Sequence, residues 1–113
     1  MKSVHISAAV SFVFLQQICI TDTALANEAG RAIYNSICSA CHAPANVMVS
    51  SPKAGDSDEW EKRLGKGLEI LTDNAANGFG AMPPKGGASE LSREQLRQAI
   101  QYMATPQNRR AIQ

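Results

Sequence analysis

Apolar and polar positions along the chain recur at helical spacing, and no segment alternates at strand spacing. From residue 28 to 41, Ala29, Ala32, Ile33 and Ile37 fall at i, i+3, i+4 and i+8, and Gly30 and Tyr34 share one face. The run continues through Cys38-Ser39-Ala40-Cys41-His42 until Pro44 stops it. Residues 43–55 lack periodicity and read as a loop. Asp56 and Glu59 can form a capping box for a helix from Ser57, which carries Trp60 and Leu64 one turn apart and breaks at Gly65 and Gly67. Leu68, Leu71 and Ala75 mark another helix over 68–76. Residues 77–87 are too rich in Gly and Pro for regular structure. Ser92 with Gln95 caps a last helix, and Leu91 and Leu96 can staple it. Its stripe of Leu96, Ala99, Ile100 and Met103 ends at Thr105-Pro106. The prediction is an all-α domain of about four short helices joined by long connections.

Residues 1–26 follow another pattern. Lys2 gives a positive start, Ile6 to Leu15 is apolar apart from Ser7 and Ser11, and Ala24-Leu25-Ala26 is a small-x-small cleavage site. These features predict a secretory leader cut after Ala26, leaving residues 27–113 as one mature domain. Gln16 and Gln17 end the apolar run well short of the ~20 residues of a membrane span, so no stable membrane insertion is expected. Gln17 and Ile18 before Cys19 do not match a lipoprotein signal. His5 and Cys19 go with the leader, and Gln107 onward reads as a polar tail.

With 113 residues the chain fits one small domain and excludes a multidomain enzyme. Its 11 basic and 10 acidic residues, net +1, give no basic face for nucleic acid. At 44% hydrophobic and 19% charged it is not a disordered tail. A mature domain this small has a marginal core, and exported domains of this size compensate with disulfides or a metal. The mature chain retains only Cys38 and Cys41. A disulfide between them would close too short a loop to remove much chain entropy.

Cys38-Ser-Ala-Cys41-His42 reads as the C-x-x-C-H attachment pattern of c-type haem. Residues i and i+3 of a helical turn face the same way, so two thiols can bond two vinyl groups along one side of a porphyrin, with the next His directed at the iron. A covalent haem would also supply the missing apolar core. A thioredoxin-type dithiol uses the same spacing but belongs with strand–helix alternation. Zinc needs about four ligands, and the mature chain has no other Cys or His. A plain disulfide is the remaining alternative.

The second axial position then falls to a methionine. Met103 belongs to the apolar stripe of the last helix. Met48 stands too soon after His42 to reach the opposite haem face easily. Met82 sits in an irregular loop, where Gly80 lets backbone approach a flat ring and Pro83-Pro84 stiffen the chain. Met82 is the expected ligand.

Nearly all of residues 27–113 resembles the class I c-type cytochromes, in particular the bacterial cytochrome c-five-like group. The matching stretches are Gly30 and Tyr34 before the Cys motif, Ser51-Pro-Lys-Ala-Gly-Asp56, Trp60 with Arg63-Leu64, Gly78-Phe-Gly-Ala-Met-Pro-Pro84, and Ala99-Ile-Gln-Tyr-Met103. The resemblance implies one covalently attached haem c per chain, with thioethers at Cys38 and Cys41 and axial ligands His42 and Met82. It implies that the first and last helices cross at Gly30 beside Tyr102. It implies that the Pro52 carbonyl accepts the ring N–H of His42, and that Trp60 and Arg63 contact the haem propionates. One departure is the stretch Gly86 to Ser92, which lacks the Cys pair that many members of the group carry there.

A haem with both axial positions filled passes one electron and leaves no site for substrate. The expected function is a periplasmic, soluble, monomeric electron carrier of a respiratory chain. It would run between a membrane cytochrome complex and a terminal oxidase or reductase, through small transient contacts at the haem edge. Lys53, Lys66 and Lys85 are candidates for a docking ring. Two ionised propionates would bring the net charge to about −1, too little for strong steering. The alternatives are a haem sensor whose Met is displaced by a small gas, and a dedicated donor subunit of one enzyme complex. A peroxidase would want a distal acid–base His that the mature chain lacks.

Overall fold

The computed structural model describes residues 18–106, with side chains from residue 24 onward. The leader features from Lys2 to Leu15, His5 among them, and the tail from Gln107 lie outside the described residues.

Helix α1 (Ile18–Ile33), a π-helical segment (Tyr34–Cys38) and α2 (Ser39–His42) follow one another without a break. Then come α3 (Ser57–Leu64), α4 (Leu68–Asn77), a 3-10 turn (Pro84–Gly87) and α5 (Arg93–Ala104). The domain is all-α, as the periodicity predicts. Among the described residues the only sheet-like pairing is an isolated antiparallel bridge between Phe79 and Met82.

Three local features differ from the sequence expectation. The first helix starts upstream of residue 28 and crosses Ala26–Asn27 unbroken, because no Gly or Pro interrupts it there. Next, the N–H of Ser39 reaches back to the carbonyl of Tyr34, which widens the turn that ends at Cys38. A periodicity reading cannot register such a one-residue slip. Finally, Pro84–Gly87 forms a short 3-10 turn, although Lys85 (φ 56°) and Gly86 (φ 63°) lie in the left-handed region within it.

Both helix starts marked by capping residues are present. Ser92 Oγ accepts from Gln95 N at 3.2 Å while Gln95 Oε1 accepts from Ser92 N at 2.8 Å, a complete capping box with Leu91 and Leu96 both buried. Asp56 accepts from Glu59 N at 3.3 Å, but it caps α3 without reciprocation. The Glu59 carboxylate instead holds Lys62 at 3.3 Å and Arg63 at 2.6 Å.

The core brings together Tyr34, Trp60, Leu91, Leu96, Ile100, Tyr102 and Met103, with Ala54 and Ala75. Its centre is the crossing of α1 and α5 at Gly30. A Cβ on Gly30 would lie 2.9 Å from the carbonyl carbon of Gln98 and 3.0 Å from Cβ of Tyr102, so only glycine permits this approach. Below it the rings of Tyr34 and Tyr102 meet at 5.3 Å, tilted by 42°. On the outside, Arg93 ties α5 to α4 through Glu69 at 3.1 Å and Asp73 at 2.7 Å. These exposed pairs contribute little each. The crossing fixes the direction in which the α1–α2 run delivers Cys38, Cys41 and His42.

Candidate functional site

Cys38 closes the π segment and is half-buried, while Cys41 stands exposed on α2. Neither thiol is paired. Burial pushes the Cys38 thiol up to about 11. A redox dithiol needs the opposite, a thiol whose ionisation is made easier.

His42 ends α2 and is buried. Its Nδ1 lies 2.8 Å from the carbonyl oxygen of Pro52. A carbonyl can only accept, so Nδ1 carries the proton and Nε2 is left with its lone pair. Burial lowers the ring's basicity and the charges of Lys53 and Arg63 act in the same direction, while the Pro52 carbonyl opposes them. These effects favour the neutral imidazole, the form that ligates iron.

The segment from Ser51 to Ala54 straps the end of this helix. Ser51 Oγ donates to the Cys41 carbonyl at 2.6 Å, and Ala54 N donates to the His42 carbonyl at 2.9 Å. Lys53 Nζ donates to the carbonyls of Cys41 at 3.0 Å and Val49 at 2.7 Å, and to Ser51 Oγ at 3.0 Å. Lys53 thus turns inward and is no docking lysine. Lys85 likewise folds back onto the Ser89 carbonyl at 3.0 Å. Sequence reasoning missed this role of Lys53, because two of its three partners are backbone carbonyls that carry no residue signature.

Met82 is half-buried against the core. Its backbone exchanges two hydrogen bonds with Phe79, each of 3.0 Å, which pinches the loop closed. Gly78 (φ 84°) makes the pinch possible, since a Cβ there would meet the Met82 carbonyl oxygen at 3.0 Å. The other two candidates differ in placement. Met103 is buried in the core, and Met48 is 90% exposed.

Trp60 is buried, and its indole N–H donates to the Lys53 carbonyl at 2.9 Å. Its single donor is spent inside the protein, so the indole forms a wall of the strap. Arg63 commits Nη1 to the Glu59 carboxylate at 2.6 Å and the Glu59 carbonyl at 3.0 Å.

A family profile described as "Cytochrome C oxidase, cbb3-type, subunit III" matches residues 25–103. The chain belongs to this family of class I c-type cytochromes. Cytochrome c-555 of Chlorobaculum thiosulfatiphilum is 35% identical over 79 residues, 66% of this chain and 90% of that protein. Cytochrome c5 of Ectopseudomonas mendocina is 39% identical over 69 residues, 59% of this chain and 77% of that protein. A chain from a solved electron transfer complex of nitrite reductase with cytochrome c is similar at TM-score 0.60 and 39% identity. That match covers 67% of this chain and 90% of the other. This c-type cytochrome is an electron-transfer protein with one covalently attached haem c.

The residues present fit that group. Two unpaired thiols stand three residues apart on one helical run, and the neutral imidazole beside them has Nε2 free of hydrogen bonds among the described residues. The zinc reading finds no site: among the described residues no three His, Cys, Asp or Glu side chains gather where a metal ion could sit. Among the same residues no helix is long and apolar enough to cross a membrane.

Proposed function

We propose that this cytochrome is a periplasmic one-electron carrier of a respiratory chain, with His42 and Met82 as the axial ligands of its iron. The observation that carries the reading is the His42–Pro52 hydrogen bond, which leaves Nε2 deprotonated and held in one orientation. When bound, the haem supplies a one-electron couple. The chain's residues do the rest. Cys38 and Cys41 would hold the ring covalently, and the Ser51–Ala54 strap braces His42, which would ligate the iron. The pinched Phe79–Met82 loop limits the freedom of a weak thioether ligand. Arg63 is offered as a propionate contact through the guanidinium nitrogens it does not spend on Glu59.

Cleavage of residues 1–26 and export rest on the leader pattern. The family match supports them, since it begins at residue 25 and takes in only the last two residues of that segment. Partners are membrane cytochrome complexes and terminal oxidases or reductases, met transiently as a monomer. The relative that forms a complex with nitrite reductase supports that partner class. A second reading, a dedicated donor subunit of one enzyme complex, is favoured by the family's own description as an oxidase subunit.

Spectroelectrochemical titration of the haem-loaded protein tests the reading. The expected result is a one-electron Nernst curve, with a sulfur–iron band in the ferric state that carbon monoxide and nitric oxide leave intact. Ready displacement of the band by either gas would favour a haem sensor. Purification from the native membrane in fixed stoichiometry with one enzyme would favour the donor subunit.

A further inference from the structure

Lys53 stands out among the cations near the site because, among the described residues, no carboxylate neutralises it. An ammonium has three N–H donors. Those of Lys53 go to the Cys41 carbonyl, the Val49 carbonyl and the Ser51 hydroxyl, at 3.0, 2.7 and 3.0 Å. All three acceptors are neutral, and among the described residues no carboxylate pairs with it. Arg63, the other cation facing His42, has its charge met by Glu59 at 2.6 Å.

Two consequences follow. The Cys41 carbonyl belongs to the exposed C-terminal end of a helix, where a cation is favoured. It receives hydrogen bonds from both Lys53 and Ser51, so both its lone pairs are used. The Lys53 carbonyl meanwhile anchors the buried Trp60 indole. One residue therefore joins the end of the Cys-x-x-Cys-His helix to α3, and it does so on either side of Pro52, whose carbonyl orients His42. The second consequence is electrostatic. A fixed, half-buried positive charge on the His42 side opposes the extra positive charge of ferric iron, and its partial burial weakens the screening by solvent.

We propose that Lys53 is a positioning residue that also sets the redox equilibrium, its inward ammonium bracing the Cys41–His42 turn and favouring the ferrous state. The proposal rests on the reading of His42 as iron ligand.

The experiment compares the holoprotein with Lys53→Met and Lys53→Arg, recording midpoint potential, sulfur–iron band and melting temperature. Lys53→Met is expected to lower the ferrous-to-ferric ratio at fixed potential by up to about tenfold, ~59 mV for a one-electron couple. The sulfur–iron band should be retained, and Lys53→Arg should restore most of the shift. Ser51→Ala, which loses two clamp bonds but keeps the charge, should lower the melting temperature and move the potential far less than Lys53→Met does. If Lys53→Met melts earlier with an unchanged potential, Lys53 is merely structural and the proposal falls. The proposal also falls if Ser51→Ala shifts the potential as far as Lys53→Met does. Should Lys53→Met fail to assemble, Lys53→Gln keeps an N–H donor without the charge and carries the same two outcomes. A wild-type protein without a low-spin haem spectrum would instead overturn the ligand reading, a failure visible before any Lys53 variant is made.

Discussion

The ring of His42 and the carbonyl of Pro52, ten residues apart in the chain, are joined at 2.8 Å. The bond fixes both the tautomer and the plane of the imidazole. Proline supplies a carbonyl on a backbone whose φ is already restricted, so little freedom remains for the acceptor to drift. Around it, the hydrogen bonds from Ser51, Lys53 and Ala54 to Cys41 and His42 hold the same turn from the other side.

Methionine replacement separates the three axial candidates. Met82→Ala should abolish the sulfur–iron band and lower the midpoint potential, since a thioether favours ferrous iron. Met48→Ala, at a 90% exposed position, should change neither. Met103→Ala should keep the band but destabilise the fold by about 2–5 kcal/mol, as a cavity in the core does. Visible spectra and denaturation of the three variants decide the matter.

Gly30→Ala tests the helix crossing. The added methyl would press on the Gln98 carbonyl and on Cβ of Tyr102, and backbone cannot rotate away as a side chain can. A loss of about 2–3 kcal/mol is expected from such overpacking. Chemical denaturation of the holoprotein measures it, and a change below about 0.5 kcal/mol would show that α1 and α5 do not approach this closely.

Tyr34 carries a buried hydroxyl without a hydrogen-bond partner among the described residues. Burial is the main cause that raises its ionisation above the ordinary tyrosine value, and burial does the same for Tyr102. The neutral forms are thus favoured in the fold, and their contribution to stability is intact below the unfolded value of about 10. It is lost as pH rises through the folded values, because the unfolded chain gives up these protons first. Tyr34→Phe should therefore raise stability at neutral pH by about 1 kcal/mol, by removing an unsatisfied group. It should also move the alkaline unfolding midpoint upward. Denaturation curves at neutral pH and a phenolate absorbance titration report both effects.

Removing the haem should remove the fold. With Cys38→Ser and Cys41→Ser together the attachment points are gone, and a domain of this size has too little apolar core of its own. Circular dichroism should show little cooperative melting. A helical chain that melts sharply would mean that the core around Tyr34, Trp60, Leu96 and Met103 suffices alone.

Most of the fold was legible because its signals are local. Ser92 and Gln95 lie three residues apart and mark the start of α5. The Cys-x-x-Cys-His spacing needs only one helical turn to be read. Gly30 and Tyr102 became legible through the family resemblance, since only a long-range crossing gives that glycine its meaning. What stayed hidden depends on backbone geometry or on distant partners. The π turn at Tyr34–Cys38 shifts one hydrogen bond without changing any residue type. Glu59 looked like half of a capping box, but its carboxylate goes to Arg63 and Lys62, and the Asp56 N–H donates to the Lys53 carbonyl at 3.1 Å. Lys53 and the Trp60 indole N–H looked available for partners or propionates, but the ammonium goes to the Cys41 and Val49 carbonyls and the Ser51 hydroxyl, and the indole to the Lys53 carbonyl.

The most direct measurement is the visible spectrum and intact mass of the exported protein, made in cells equipped for c-type maturation. The account predicts the mass of residues 27–113 plus one haem, a low-spin spectrum and a sulfur–iron band in the ferric state. A haem-free mass two hydrogen atoms short, the signature of a Cys38–Cys41 disulfide, would contradict it.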